Sequence, residues 1–279
     1  MNAAVEGAEK ACFTYTSYAD SEASMPHHER CLAIECPVAI EINGIAFAVM
    51  MASPIDLEDF VAGFLIAEGL ARADQVGEIV LIDVDKGSWG QGKVARISLP
   101  AECLGAVMER ARRRIGDSSC GICGLDGIET ALRALPVLDA RLKLRRQAVA
   151  RALEALPGLQ VLGGATRATH AAAFCDSEGA IILVREDVGR HNALDKLVGA
   201  LARQGIDAGA GFIVMTSRCS YELVEKTVRA GCSLLVTVSA PTDLAVRRAM
   251  AAGLTLCAVA RGDSMLTTQI DGNGPFIDD

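Results

Sequence analysis

The sequence predicts an α/β protein in which a smaller N-terminal α+β domain precedes a larger α/β domain built on a largely parallel sheet. Three observations predict it. From residue 160 onward, apolar strand-like runs alternate with amphipathic helical segments that stop at Gly205, Gly231 and Gly253, the pattern of βαβ units. Before that, two hairpin patterns surround a single helix. The composition, 51% hydrophobic and 22% charged with few aromatics, fits a globular chain rather than a disordered or repetitive one. A length of 279 residues allows one large domain or two modest ones.

Residues 1–29 show no periodicity and read as a loose, flexible tail. A hairpin follows, Pro37–Ile42 against Ile45–Met50, across Asn43-Gly44, the dipeptide that best accommodates a type I′ turn. Ser53-Pro-Ile-Asp56 then opens a helix in capping-box style. Leu57, Phe60, Val61, Phe64 and Leu65 keep helical spacing until Gly69. A second hairpin pairs Glu78–Val84 with Val94–Leu99. A basic helix over about 102–115 leads into Ser118–Gly124, and one or two further helices fill 126–157. The α+β domain is thus 30–117, the cysteine loop 118–124, and the larger domain 125–279. In the latter, a strand ending near Phe174 turns into Ala180–Val184. Helix 192–204, strand 212–216, helix 220–230, strand 233–238, helix 242–252 and strand Leu254–Ala260 follow in order.

A net charge of −8 argues against broad nucleic-acid binding, which needs a basic face. No apolar run reaches the roughly 20 residues of a spanning helix, and the first residues lack signal-peptide features. A cytoplasmic protein is expected. Ten cysteines are many for that compartment, where disulfides are rare, so most should be small buried apolar groups. Cys232 and Cys257 lie in or beside apolar strands and are assigned to the core.

Only Cys120 and Cys123 form a pair with a chemical pattern. Each is followed by glycine, so backbone N–H groups can converge on a thiolate. Arg110, Arg112, Arg113 and Arg114 stand just upstream and favour the same ionised form. The pair is compatible with a structural zinc knuckle, a thioredoxin-type redox pair or a persulfide relay. A zinc knuckle lacks its second ligand pair, and the redox motif would have to open a helix after a first strand. The second concentration is Arg185-Glu-Asp-Val-Gly-Arg-His-Asn192, richer in charge than a strand-to-helix turn needs, with Asn192 as a plausible cap. Thr216-Ser-Arg218, Ser239-Ala-Pro-Thr242 and Arg261-Gly-Asp-Ser264 load the other strand ends. Ligands of open α/β sheets bind outside the carboxyl ends of the strands, so this edge is expected to hold an anionic, phosphorylated ligand.

With these motifs assembled, the chain resembles the formate dehydrogenase accessory sulfurtransferase family from about residue 37 to 264. The resemblance is carried by Cys120-Gly-Ile-Cys-Gly124, Thr169–Ala173, Arg185–Lys196, Thr216–Glu222 and Val238–Thr242. It implies a cytidine-deaminase-like α/β domain and a homodimer. It also implies a sulfurtransferase that accepts sulfur from a cysteine desulfurase and passes it to the molybdenum bis(guanine dinucleotide) cofactor destined for formate dehydrogenase. Cys120 would then hold the persulfide, with Cys123 assisting. Val259, Ala260, Arg261, Gly262, Asp263 and Ser264 match the family's cofactor-binding stretch, although Val259 stands where relatives usually have an aromatic. Arg190, His191 and Arg218 are further candidate cofactor contacts, with Glu186 and Asp187 ordering those arginines or accepting guanine N–H groups. No permanently bound metal is expected. Two alternatives are a non-catalytic guanine-dinucleotide chaperone and a zinc-dependent deaminase-like hydrolase using His170 or His191. The latter lacks the His-x-Glu and Pro-Cys arrangement of zinc deaminases.

Overall fold

The computed structural model describes residues 4–16, 24–85, 87, 90–113, 134–138, 142–268 and 275–277. The predicted cysteine loop and both boundaries flanking it fall outside these residues.

The N-terminal segment departs from the expected loose tail. Strand β1 (Ala8–Thr16) pairs antiparallel with β2 (Ser24–Ala33). The two form a ribbon of their own, and a ribbon paired only with itself need not show the one-sided apolar alternation that marks a sheet packed on a core.

The two expected hairpins form one sheet. Strand β3 (Cys36–Ile42) pairs with β4 (Ile45–Ala52), and β5 (Ile79–Asp85) pairs with β6 (Gln91–Ile97), both antiparallel. Asn43 and Gly44 take φ of 50° and 78°, as a type I′ turn requires. A parallel β3–β6 pairing joins the hairpins in the order β4-β3-β6-β5. Val38, Ile40, Ile42, Ala95 and Ile97 face helices α1 (Leu57–Ala67) and α2 (Leu104–Arg113) in one apolar core. The predicted capping box is not made: Asp56 is the N-cap, at φ 52°, and its side chain makes no cap bond. Ser53 is committed elsewhere, donating its amide to Asp187 and accepting from Val188 N through Oγ.

Helices α3 (Arg146–Leu159) and α4 (Val161–Thr166) precede the large sheet; the described residues 134–138 and 142–145 carry no helix. Strands β7 (His170–Asp176), β8 (Ile181–Asp187), β9 (Gly211–Met215), β10 (Leu234–Thr237), β11 (Thr255–Ala258) and β12 (Leu266–Thr267) stand in the order β12-β11-β10-β9-β7-β8. The sheet is mixed rather than largely parallel. Only β9–β10 and β10–β11 pair in parallel, because β7 inserts antiparallel between β8 and β9, and β12 adds antiparallel at the edge. No helix separates β7 from β8, so the alternation of strands and helices could not show where β7 would insert. Even so, β8, β9, β10 and β11 all run the same way, and their carboxyl ends share one edge.

Helices α5 (Arg190–Gln204), α6 (Tyr221–Arg229) and α7 (Asp243–Ala251) cover one face of this sheet, and α3 covers the other. Helix α5 also carries α1 in backbone contact. A Cβ on Gly63 would fall 1.7 Å from the Asp195 carbonyl oxygen, and one on Gly199 would fall 1.8 Å from that of Asp59. Only glycine at both positions allows this approach.

Candidate functional site

Much of the charge in 185–196 is spent on architecture. The Arg185 guanidinium pairs with Asp59 at 2.7 Å and with Asp56 at 3.6 Å. Glu186 accepts the amides of Leu162 at 2.8 Å and Gly163 at 2.7 Å, with Thr169 Oγ1 at 3.4 Å. Its carboxylate therefore serves the start of α4. Asp187 is fully buried and accepts from Ser53 N, Gly189 N and Asn192 Nδ2 while pairing with Lys196 Nζ at 2.7 Å. Burial pushes the Lys196 ammonium below its ordinary value, against the opposing charge of Asp187. Neither carboxylate orders the candidate arginines, contrary to expectation, because buried amides and a buried ammonium already occupy them. Asn192 is likewise not the cap: α5 starts at Arg190 after Gly189, and Asn192 Nδ2 bonds Met51 O at 2.7 Å.

What remains gathers at the carboxyl edge. Arg190 and His191 open α5, Arg218 follows β9, and His170 starts β7 at the same edge. His170 is the functional candidate that sequence reasoning set aside. Its signal was its place as the one ionisable residue of the Thr169–Ala173 motif. Burial, then the charges of Arg190, Arg218 and His191, hold its pKa below the ordinary value, so these four basic side chains share one electrostatic neighbourhood. Arg190 Nε is buried with no hydrogen-bond partner among the described residues, a costly state for a cationic donor and one that an anion would relieve. His191 Nε2 lies 2.7 Å from Glu222 Oε2 and 3.3 Å from Ser220 Oγ. Helices α5, α6 and α7 all begin here, so their positive ends face the same space. The hydroxyls expected of these strand ends are partly committed: Thr216 Oγ1 accepts Ala171 N at 2.9 Å, and Ser217 Oγ donates to Arg218 O at 2.9 Å.

The stretch Val259–Ser264 lies two strands along the edge. Val259 sits at φ 52°, a left-handed conformation unfavourable for a β-branched residue. Val259 N and Ala260 N donate to Ser239 O and Thr237 O, and Arg261 N donates to Ser264 O at 2.8 Å, closing a small exposed loop around Gly262 and Asp263. Ser264 Oγ donates to Asp263 Oδ1 at 2.9 Å. The Arg261 guanidinium donates to Val238 O at 2.5 Å and Ala260 O at 2.8 Å. The structure thus brings Arg190, His191 and Arg218 together with His170, and leaves Arg261 on the carbonyls beside β10. Successive strands are about 4.8 Å apart, so four steps from β11 to β8 spread the candidates over about 19 Å.

Cys120 and Cys123 lie outside the described residues. The buried thiols elsewhere are unsuited to nucleophilic work: burial pushes Cys175, Cys219 and Cys232 up to about 12 and Cys257 to about 11. Cys232 and Cys257 are core residues, as expected. Among the described residues, no group of three or more His, Cys, Asp and Glu side chains is placed to hold a metal ion, and no helix is long and apolar enough to cross a membrane.

Comparison with known proteins gives a consistent result. The model of the FdhD/NarQ family matches residues 33–268. The chain is 48% identical over 230 residues to a sulfur carrier protein FdhD of Xanthomonas campestris pv. campestris (strain B100), covering 82% of this chain and 80% of the relative. It is 46% identical over 235 residues to a protein of the same description from Variovorax paradoxus (strain S110), covering 84% and 83%. A solved structure described as a formate dehydrogenase accessory protein, from Desulfotalea psychrophila, superposes with a TM-score of 0.71 at 22% identity. The match covers 95% of this chain and 98% of that one, and it supports the fold.

Proposed function

The chain belongs to the FdhD/NarQ family, and from that premise we propose that it is a sulfur carrier acting as a sulfurtransferase in formate dehydrogenase maturation. In this reading a cysteine desulfurase supplies the sulfur, Cys120 carries it as a persulfide with Cys123 assisting, and the acceptor is the molybdenum bis(guanine dinucleotide) cofactor. The Cys120 thiolate attacks the outer sulfur of the donor persulfide. The new S–S bond forms as the donor's S–S bond breaks, and the donor cysteine leaves as thiolate. The cofactor is substrate here. The working form is a cytoplasmic homodimer, with the larger domain of cytidine-deaminase-like type and the α+β domain (30–117) preceding the cysteine loop.

The observation that carries this reading is the basic cluster of His170, Arg190, His191 and Arg218 around the unpartnered Arg190 Nε. Arginines beside helix N-termini are suited to phosphates, and the spread of about 19 Å to Val259–Ser264, at ordinary strand spacing, suits an elongated dinucleotide. Arg190, His191 and Arg218 would hold one end. Val259, Ala260, Arg261, Gly262, Asp263 and Ser264 would hold the other once Arg261 exchanges its carbonyl partners for the ligand. The course of α2 is compatible with delivery of sulfur to this edge. Cys103, just before its first residue, and Ala106 line one pocket with Arg229 at the opposite edge. Arg110, further along, pairs with Glu68, whose charge acts on Asp195 and Lys226. Those two residues lie one helical turn from His191 and Glu222.

The test is to incubate the protein with a cysteine desulfurase and cysteine and weigh it by mass spectrometry. The expected result is a gain of one sulfur atom, lost in Cys120→Ala/Cys123→Ala. No adduct on the wild type, or an undiminished adduct in the double variant, would overturn the reading. The basic cluster also fits a second reading, a chaperone that only binds the guanine dinucleotide. That reading gains if the double variant still supports full maturation of the target enzyme.

A further inference from the structure

The proposed phosphate contacts account for the arginines of the cluster and leave the His191–Glu222 pair unexplained. Both residues are second in their helices, α5 and α6, and both are partly buried. Glu222 Oε2 is 2.7 Å from His191 Nε2, and Ser220 Oγ stands 3.3 Å from that nitrogen and 3.4 Å from the carboxylate. Ser220 is the N-cap of α6, the position whose hydroxyl ordinarily accepts an amide of the first turn. It makes no such bond and faces His191 and Glu222 instead.

An ionised carboxylate only accepts, so the Nε2 that approaches it carries a hydrogen. Burial pushes the Glu222 carboxyl up, but the hydrogen bond and charge of His191, with Lys226 and Ser220, together hold it below its ordinary value. Nδ1 is then the other ring nitrogen, and it has no hydrogen-bond partner among the described residues. In the neutral ring, Nδ1 is an acceptor, a group with nothing to gain from a bare phosphate. It matches a ribose hydroxyl or a base N–H.

We propose that Glu222 is a positioning residue that holds the ring of His191 so that Nδ1 accepts a hydroxyl or N–H of the nucleotide, while the neighbouring arginines take its phosphates. The inference rests on reading the carboxyl edge as a guanine-nucleotide site and adds how that site separates a nucleotide from a simple polyphosphate. The other charged groups near the pair are His170 on β7, with Arg190 and Arg218 acting on it, Asp195 on the helix of His191, and Lys226 on the helix of Glu222. None of them shares the His191 Nε2 bond.

The test uses the full-length protein and Glu222→Gln in mildly alkaline buffer, titrated separately with GDP and with inorganic pyrophosphate. Nitrogen-15 NMR of the ligand-free histidine rings is recorded alongside. The variant is expected to lose about tenfold in GDP affinity, the equivalent of about 1.4 kcal/mol, and to keep pyrophosphate affinity within about twofold. In the wild type, His191 should show the Nε2–H tautomer, and in the variant a mixture. Unchanged GDP affinity, or an equal loss for both ligands, would overturn the proposal. So would a wild-type His191 in the Nδ1–H tautomer, a result that requires no variant to fold. A wild type that binds pyrophosphate but not GDP would remove the nucleotide reading itself, whatever the tautomer.

Discussion

At the scale of single residues, the cluster divides into groups already satisfied and groups that wait for a partner. Glu186, Asp187 and Lys196 belong to the first kind, and Arg190, through its Nε, belongs to the second among the described residues. The depressed pKa of His170 has a definite sign. The unfolded chain takes up the proton near the ordinary value of 6.5, while the folded chain resists it. This residue's contribution to stability is therefore full above that value and fades as pH falls through it. A bound anion offsets the repulsion from Arg190 and Arg218, so GDP binding should draw a proton onto His170. Affinity is expected to be flat in mildly alkaline buffer and to rise as the pH is lowered below about 6.5, by up to about tenfold per unit, and His170→Gln should flatten the rise. Calorimetry in two buffers of different ionisation enthalpy measures that proton directly. His170 was legible only as a motif residue and as one option in the zinc alternative, because burial against arginines from two other segments is not written in its neighbours.

At the scale of elements, strand and helix types were readable where apolar periodicity was strong, as in the β3–β4 and β5–β6 hairpins and in α5, α6 and α7. Reading failed where a local cue met a stronger tertiary demand. Ser53 looked like a helix cap and Asn192 like another, yet Ser53 bonds Asp187 and Val188, and Asn192 bonds Met51 as well as Asp187, so each has a partner more than 130 residues away. A buried polar network outweighs a cap, whose loss costs about 1 kcal/mol. The α1–α5 contact is the element-level feature most open to test. With Gly199 pressed on the Asp59 carbonyl, Gly199→Ala cannot be absorbed by a side-chain movement. It should cost at least about 2 kcal/mol in denaturant unfolding, although alanine favours the isolated helix. A neutral or stabilising result would mean that the two helices separate readily.

At the scale of the whole molecule, the candidate site is a property of the edge, assembled from four strands that run the same way. If one elongated ligand spans it, Arg190 and Arg261 contact opposite ends and share no partner. Arg190→Ala and Arg261→Ala should each weaken binding of a guanine dinucleotide about tenfold, and the double variant about a hundredfold, because distant sites add within about 0.5 kcal/mol. For GDP, which is shorter, only one of the two substitutions should matter, and fluorescence titration of both ligands tests this. By itself the sequence determined the α/β class, the two hairpins, the helical layer, the apolar assignment of Cys232 and Cys257, and the candidacy of Arg190, His191 and Arg218. Each of these rests on a short-range pattern of apolar spacing, turn chemistry or charge at a strand end. Only the tertiary structure decided that β7 enters antiparallel, that β1 and β2 pair, that Glu186 and Asp187 serve the scaffold, and that Glu222 meets His191. Those outcomes depend on which distant segments compete for the same hydrogen bonds and the same buried volume, and that competition is settled when the layers pack.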